Sequence, residues 1–342
     1  MTTPEHGGPD RDGVRTSGRG PGPARAGSRI VVVGDIVTDV LAVLAGPVAP
    51  GSDTSAEIRV TGGGQAANTA AWLAWQGCPV TLVGAVGADD AGASRLAELT
   101  ALGVRCAVRR HPDVPTGTVI VLAGNGERTM VTQRGANLRL TPEQVEAVLG
   151  ASADATHLHL SAYTLLDAGS REAGRRALAA ARGRGLTTSV DAASAEPLRR
   201  VGAAAFLSWV RDADLLLANA DEAAVLAGPG SPAAQAGALT EVTPHVVVKN
   251  GAAGAVWAER GGEVVSAPAR RVPVRDVTGA GDAFAAGLLA ARVAGASTAE
   301  ALDRAAELGA AAVGTLGARP VADGSTEVAA EVAAEGSAEV AG

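Results

Sequence analysis

The chain has 342 residues, 47% of them hydrophobic, which is enough for one large α/β domain or two smaller ones around a sizeable core. Aromatics make up only 2%, so that core must be built from Ala, Val and Leu. The net charge is −7 with no arginine-rich block in the periodic region, and no uninterrupted apolar run reaches bilayer length, so neither nucleic acid nor membrane is an expected partner.

Two cysteines, Cys78 and Cys106, lack zinc or disulfide spacing and suggest a reduced, cytoplasmic protein. Residues 1–28 are rich in Gly, Pro and Arg without an apolar signal region, and are expected to be a disordered extension. The Ala-Glu-Val repeats of 321–342 predict a disordered tail. The folded domain is expected over 29–320.

In chain order, Ile30–Val33 reads as a buried strand ended by Gly34-Asp35. Glu57–Val60 reads as a short strand, Ala66–Trp75 as a helix and Pro79–Val83 as a strand. Asp89–Leu102 is expected to be a helix whose opening acids suit its positive end. Thr116–Val121 and Arg128–Gln133 are short strands with no helix between them. Strands then follow at His157–Leu160, Thr187–Val190, Leu215–Leu217 and His245–Val248. Among them lie helices at Ser170–Arg182, Ala220–Leu226, Asp282–Ala294 and Thr298–Val313. This alternation predicts a mostly parallel sheet covered by helices on both faces. The helix-free segments, about 55–61 and 116–133, are expected to form a small separate sheet beside it.

The strongest chemical signal is Asp276-Val277-Thr278-Gly279-Ala280-Gly281-Asp282, after a β-type segment at Val272–Val274. Gly279 and Gly281 let a ligand approach the backbone, and the free N–H groups of a helix start favour an anion. Asp282 stands where an acid can cap that helix, and it can also accept a proton from a hydroxyl during phosphoryl transfer. Taken alone, the motif fits an ordinary capped helix equally well. Neither a phosphate-binding Gly-x-x-x-x-Gly-Lys-Ser/Thr loop nor a Gly-x-Ser-x-Gly elbow occurs. A dinucleotide-binding oxidoreductase is disfavoured, because the glycine turn at 62–64 does not directly follow the first strand.

The run from Asp276 to Gly287 resembles the C-terminal signature of ribokinase-like (PfkB) carbohydrate kinases. Gly62-Gly63-Gly64-Gln65-Ala66-Ala67-Asn68 and Val83-Gly84-Ala85-Val86-Gly87-Ala88-Asp89-Asp90 resemble the N-terminal one. The resemblance covers roughly Ile30 to Arg319 and implies a three-layer α/β/α fold with a small β lid. It further implies an ATP-dependent, Mg²⁺-requiring kinase with Asp282 as base and an anion hole at Gly279, Ala280 and Gly281. Substrate would be held by Asp39, Gly63, Gly64 and Asn68. The nucleotide would lie along Asn219, Glu222, Lys249, Gly251, Gly254 and Thr278, with Glu222 reaching Mg²⁺ through water. Asp276 would sit beside a monovalent cation such as K⁺. The other readings are an Asn219–Glu222 helix cap, a turn or solvated Asp39 and a solvated strand-end Lys249. Arg134-Gly135-Ala136-Asn137 resembles a family segment before a helix starting at Thr141-Pro142, while His157 and His159 are packing residues on one strand face.

The expected substrate is a small sugar. Val37 stands where ribokinase has asparagine, which weakens ribose itself. A nucleoside such as adenosine or pseudouridine is the alternative, disfavoured by the scarcity of aromatic stacking partners. A non-catalytic sugar-binding regulator is disfavoured by the intact Asp282 motif. A homodimer through the exposed lid is also expected.

Overall fold

Alternate residues of the first strand feed two different apolar cores: Ile30 and Val32 enter one, Val31 and Val33 the other. A sheet buried on both faces, with helices over each, follows from that pattern. The computed structural model describes residues 28–124, 127–315 and 317–320. The expected N-terminal extension, Ser28 apart, and the tail from 321 onward lie outside the described residues.

The elements are β1 (Arg29–Val33), β2 (Val37–Leu44), β3 (Ala56–Gly63), α1 (Gln65–Trp75), β4 (Val80–Gly87), α2 (Asp90–Ala101), β5 (Arg105–His111), β6 (Gly117–Gly124), β7 (Glu127–Gln133), α3 (Pro142–Ala151) and β8 (Ala155–Ser161). There follow α4 (Tyr163–Leu166), α5 (Arg171–Gly183), β9 (Thr187–Asp191), α6 (Ala195–Val201), α7 (Ala203–Val210), β10 (Leu215–Asn219), α8 (Ala220–Ala227), α9 (Pro232–Leu239), β11 (His245–Lys249), β12 (Ala255–Glu259), β13 (Val265–Ala267), α10 (Ala280–Val293) and α11 (Thr298–Val313).

Nine strands form the main sheet in the order β13-β12-β11-β10-β9-β8-β1-β4-β5, parallel except for the β12 and β13 edge. Trp72, Phe284, Leu288, Leu302 and Leu308 of α1, α10 and α11 pack on one face. Residues such as Val145, Leu178, Phe206 and Leu239 of α3, α5, α7 and α9 pack on the other. The architecture is the expected three-layer α/β/α.

The helix-free segments do join, in a four-stranded sheet ordered β3-β2-β6-β7. Its second strand, β2, went unrecognised in the sequence because Asp39 and Thr38 interrupt its apolar pattern. Gly34 to Asp39 is therefore not one turn: Asp35 ends the β1 excursion, whereas Asp39 lies within β2, opposite Thr61 of β3 and Val119 of β6. Val272–Val274 forms no strand; Pro273 supplies no N–H there, and Val274 is exposed. The helix after the glycine motif begins at Ala280, with Gly279 at the N-cap in the left-handed region (φ 77°). Asp282 is thus the third helical residue, and its side chain does not cap the helix. The elements β5, β12, β13, α4, α6, α7 and α9 were not anticipated: β5 is interrupted by Arg105, Arg109 and Arg110, and the others are short or rich in alanine.

Gly64 shows how tightly the site is built. Its φ is 101°, and a Cβ there would come 2.5 Å from the Asp35 carbonyl oxygen. Gly64→Ala is expected to destabilise the fold by at least about 2 kcal/mol, combining left-handed strain with backbone overlap. Urea unfolding of the variant against the parent checks this; an unchanged midpoint would contradict it.

Candidate active site

Parallel strands all point their C-terminal ends to one edge, and there the chain places polar residues. Asp35 follows β1, Ser161 ends β8, Asp191 ends β9, Asn219 ends β10 and Lys249 ends β11. The β10 register sets Asp191 beside Leu217 and Lys249 beside Asn219. Their side chains meet across β10 at 2.6 Å, with 14% of the Lys249 side chain and 1% of the Asp191 side chain exposed. Lys249 is therefore not a solvated strand-end lysine. Burial alone would lower its pKa, but the charges of Asp191 and Glu222 reverse that and raise it.

Asp191 is the centre of a network. Its Oδ1 accepts from Gln65 Nε2 (3.0 Å) and the Ala193 amide (3.3 Å). Ala193 has a φ of 74°, the only described non-glycine residue with positive φ. Ser161 Oγ lies 2.6 Å from Gln65 Oε1 and 3.1 Å from Asp35 Oδ1. Asp35 in turn accepts from the Gln65 and Ala66 amides, holding the start of α1.

Two helix N-termini face this edge, those of α1 and α10, and they supply Asn68 and Asp282. Asn68 Nδ2 donates to Asp282 Oδ2 at 2.9 Å. Asp282 is drawn largely out of water, and burial pushes its carboxyl up to about 8; Asp191 adds to the rise, while Asn68 and Lys249 oppose it. The Lys249 ammonium borders the glycine motif, 3.5 Å from where a Cβ on Gly281 would stand. Asp282, Asn68, Lys249 and the Gly279–Gly281 backbone are thus brought together.

The other expected site residues group around them. The Asp39 carboxylate lies directly over Gly63, where a Cβ would overlap it. Burial raises that carboxyl to about 6, against the pull of Arg319. Gly63 and Gly64 are accordingly required by the Asp39 side chain and the Asp35 backbone. Asn219 and Glu222 form a reciprocal capping box on α8, each Glu222 oxygen accepting from Asn219 (2.8 and 2.7 Å). Glu222 is buried, which together with Asp191 raises its carboxyl to about 7. Gly251 and Gly254 shape the open turn after β11. Asp276 accepts from the Thr278 amide and hydroxyl and from the Gly317 amide, tying the glycine motif to the C-terminal segment.

Sequence reasoning missed Asp191, Gln65 and Arg319. For Asp191 a signal existed: it is the acid immediately after a recognised parallel strand. Arg319 had none, because its partners Asn68 and Gly63 lie more than 250 residues away along the chain. Asn137 is structural, its amide bonding the Ile36 backbone on both sides. His157 and His159 pack on one face of β8 against Thr187 and Ser189, as expected.

A three-layer sheet with a polar C-terminal edge, two helix N-termini and a small β-sheet beside it defines a ribokinase-like small-molecule kinase. Residues 28–323 match the pfkB family carbohydrate kinase model. An ATP-dependent ribose-1-phosphate kinase of Halopiger xanaduensis is 31% identical over 86% of this chain and 96% of its own. Adenosine kinase from Sinorhizobium meliloti superposes with a TM-score of 0.79 at 24% identity, covering 90% of this chain and 100% of its own. A putative ribokinase II from E. coli, in complex with ATP and Mg²⁺, gives 0.74 at 25% identity over 85% and 94% of the two chains. The chain belongs to the pfkB family of carbohydrate kinases. It is an ATP-dependent carbohydrate kinase. No helix among the described residues is long and apolar enough to cross a membrane.

Lys249→Met would leave Asp191 buried without its counter-charge, and a loss of roughly 3–5 kcal/mol in stability is expected. Adding Asp191→Asn should recover part of it. Thermal and urea unfolding of both variants decides the matter, and equal stability of Lys249→Met and the parent would refute the coupling.

Proposed function

We propose that the protein transfers the γ-phosphoryl group of ATP to a hydroxyl of a small sugar, with Asp282 as general base. The observation carrying this reading is the position of Asp282. It sits in the first turn of α10, its carboxyl pushed up to about 8 and bonded by Asn68, beside the amides of the glycine motif. A carboxylate with a pKa near working pH is suited to take a hydroxyl proton. The N–H groups of Gly279, Ala280, Gly281 and Asp282 would stabilise charge on the transferred group, and Lys249 would add a cation next to Gly281.

In this reading the sugar rests over Gly63 and Gly64 between Asp39 and Asn68. ATP lies along Asn219, Glu222, Thr278, Gly251 and Gly254. Among the described residues no cluster of three or more His, Cys, Asp or Glu could hold a metal ion by itself. That donor set suits Mg²⁺ carried on phosphates and waters, which neutralises phosphate charge. With both oxygens bonded to Asn219, Glu222 would reach it only through water. A K⁺ ion near Asp276 would be held by loop carbonyls that Asp276 positions, since its carboxylate already accepts three donors. The β3-β2-β6-β7 sheet acts as a lid, excluding water from the transfer.

A sugar is favoured over a nucleoside by where the aromatics lie. Trp72, Trp257, Phe206 and Phe284 are buried, and the single tyrosine, Tyr163, stacks on Arg134 at 4.4 Å. Trp209 stacks on Arg171, and Trp75 ends α1 about 15 Å from its start. None is offered to a base at the site. The name of the 31% identical relative, a ribose-1-phosphate kinase, supports the same choice and adds sugar phosphates to the candidates.

ADP release measured against a panel of sugars, sugar phosphates and nucleosides tests the proposal. Turnover confined to nucleosides would replace the sugar reading. Asp282→Asn should lower kcat by roughly 10²–10⁴-fold, and full activity in that variant would end the general-base assignment. The same variant should be more stable than the parent. A carboxyl raised from 3.8 to about 8 has its stability cost absent below pH 3.8 and growing up to pH 8. The gain in Tm should therefore increase between pH 4 and 8 and level off above.

We also propose a homodimer through the lid, one face of which carries Ile58 and Val60 of β3 and Val131 of β7 at 64%, 61% and 56% exposure. Sedimentation should give a dimer that Ile58→Glu with Val131→Glu converts to monomer. A monomeric parent at micromolar concentration would contradict it.

A further inference from the structure

The segment from Gly317 to Pro320 follows α11 and threads between the two halves of the proposed active site. Gly317 donates its amide to Asp276 Oδ2 at 3.1 Å. The Ala318 carbonyl accepts from Trp72 Nε1 at 3.0 Å, and Ala318 packs on Gly279 so closely that a Cβ there would come 2.5 Å from its oxygen. From this strap the Arg319 side chain, 8% exposed, runs inward beneath the glycine turn. Its Nη2 donates to the Gly63 carbonyl (2.8 Å), its Nη1 to Glu98 Oε2 (3.3 Å) and its Nε to Asn68 Oδ1 (3.0 Å). A Cβ on Gly62 would overlap the guanidinium.

A guanidinium can only donate hydrogen bonds, so whatever it touches must accept. The Asn68 amide therefore has to turn its oxygen to Arg319, which leaves its NH₂ for Asp282. Flipped by 180°, the amide would set its oxygen against the Asp282 carboxylate, repelling the ionised form and accepting from the protonated one. Arg319 reaches none of the reacting groups itself.

We propose that Arg319 is a positioning residue that locks the Asn68 amide and so biases Asp282 towards its proton-accepting form. The inference rests on reading Asp282 as the general base. The charged groups acting on Asp282 are Asp191 at the end of β9, Lys249 at the end of β11 and Asp35 after β1. Those acting on Arg319 are Glu98 and Arg95 of α2 and Asp39 of β2. The link between the two sets is the neutral Asn68, which is why it can be tested as a relay.

The experiment is the pH dependence of kcat and kcat/KM for the full-length parent, Arg319→Met, Asn68→Ala and the double variant. Losing a hydrogen bond to a charged carboxylate should move the acid limb up by about one pH unit. Arg319→Met should thus lose roughly tenfold in kcat below the limb and recover at higher pH. In the Asn68→Ala background the same substitution should add no further shift. An unmoved limb in Arg319→Met overturns the inference. An equal shift in both backgrounds also overturns it, since that would be a through-space charge effect independent of Asn68. If Arg319→Met does not fold, Arg319→Lys replaces it. That variant keeps the charge but loses the fork joining Gly63 to Asn68, so a smaller shift in the same direction is expected and an unmoved limb is fatal. Asp282→Asn run in parallel separates the two readings. If it is inactive while the arginine variants behave like the parent, only this inference fails; if it is active, the general-base reading fails.

Discussion

The site is organised by one buried ion pair. The chain has a single lysine, and it is spent on Asp191 at 2.6 Å across the end of β10. Either charge alone in that place would be costly to desolvate, so each is tolerable only because the other is there. That mutual need ties the register of three strands to the electrostatics of the edge: a one-residue slip of β11 against β10 would turn Lys249 to the opposite face. Asp191 then has lone pairs left for Gln65 and Ala193, which fix the start of α1 and hold a left-handed alanine.

The pair also acts on two neighbouring carboxyls, Asp191 raising and Lys249 lowering those of Asp282 and Glu222. Asp282, Glu222 and Asp39 all have raised carboxyls, each with burial as the largest cause. Such groups oppose folding at neutral pH, and the two apolar cores must carry the cost. Those cores can do so because they are continuous: strands buried on both faces, with Ala, Val and Leu packed between them and the helices. The arrangement is the familiar trade of stability for a reactive site, with the reactive carboxyl kept at the mouth of a rigid scaffold.

How much of this could be read from the sequence depended on how local the cause was. Thr298–Val313 was placed at both ends, and its start is set locally by Ser297 and Glu300, which cap it within four residues. The parallel strands other than β5 were found from their apolar runs, and the capping box at Asn219 from its own spacing. Asp282 was found as a residue but misplaced as a cap, since the helix starts two residues earlier, on a glycine whose left-handed turn replaces side-chain capping. Asp39 was found as a substrate-side acid but put after a strand, because β2 is half-buried without clean alternation. Arg319 was invisible. Its meaning lies wholly in contacts with Gly63, Asn68 and Glu98, which only the closed fold supplies.

That last case says something about where discrimination between relatives of this fold arises. The α10 start is built from short-range rules, so it is legible as a motif in the sequence. The ground on which a sugar would rest is different. It combines β2, the glycine turn, α2 and a strap beyond α11, joined by a donor-only guanidinium and a carboxyl held near 6. A change in any one of those four segments would alter the charge and shape presented to a ligand, and a change at Arg319 would also reach Asp282 through Asn68. On the proposed reading, the glycine motif is written locally in the chain, whereas the place where a sugar would rest is made by tertiary contacts.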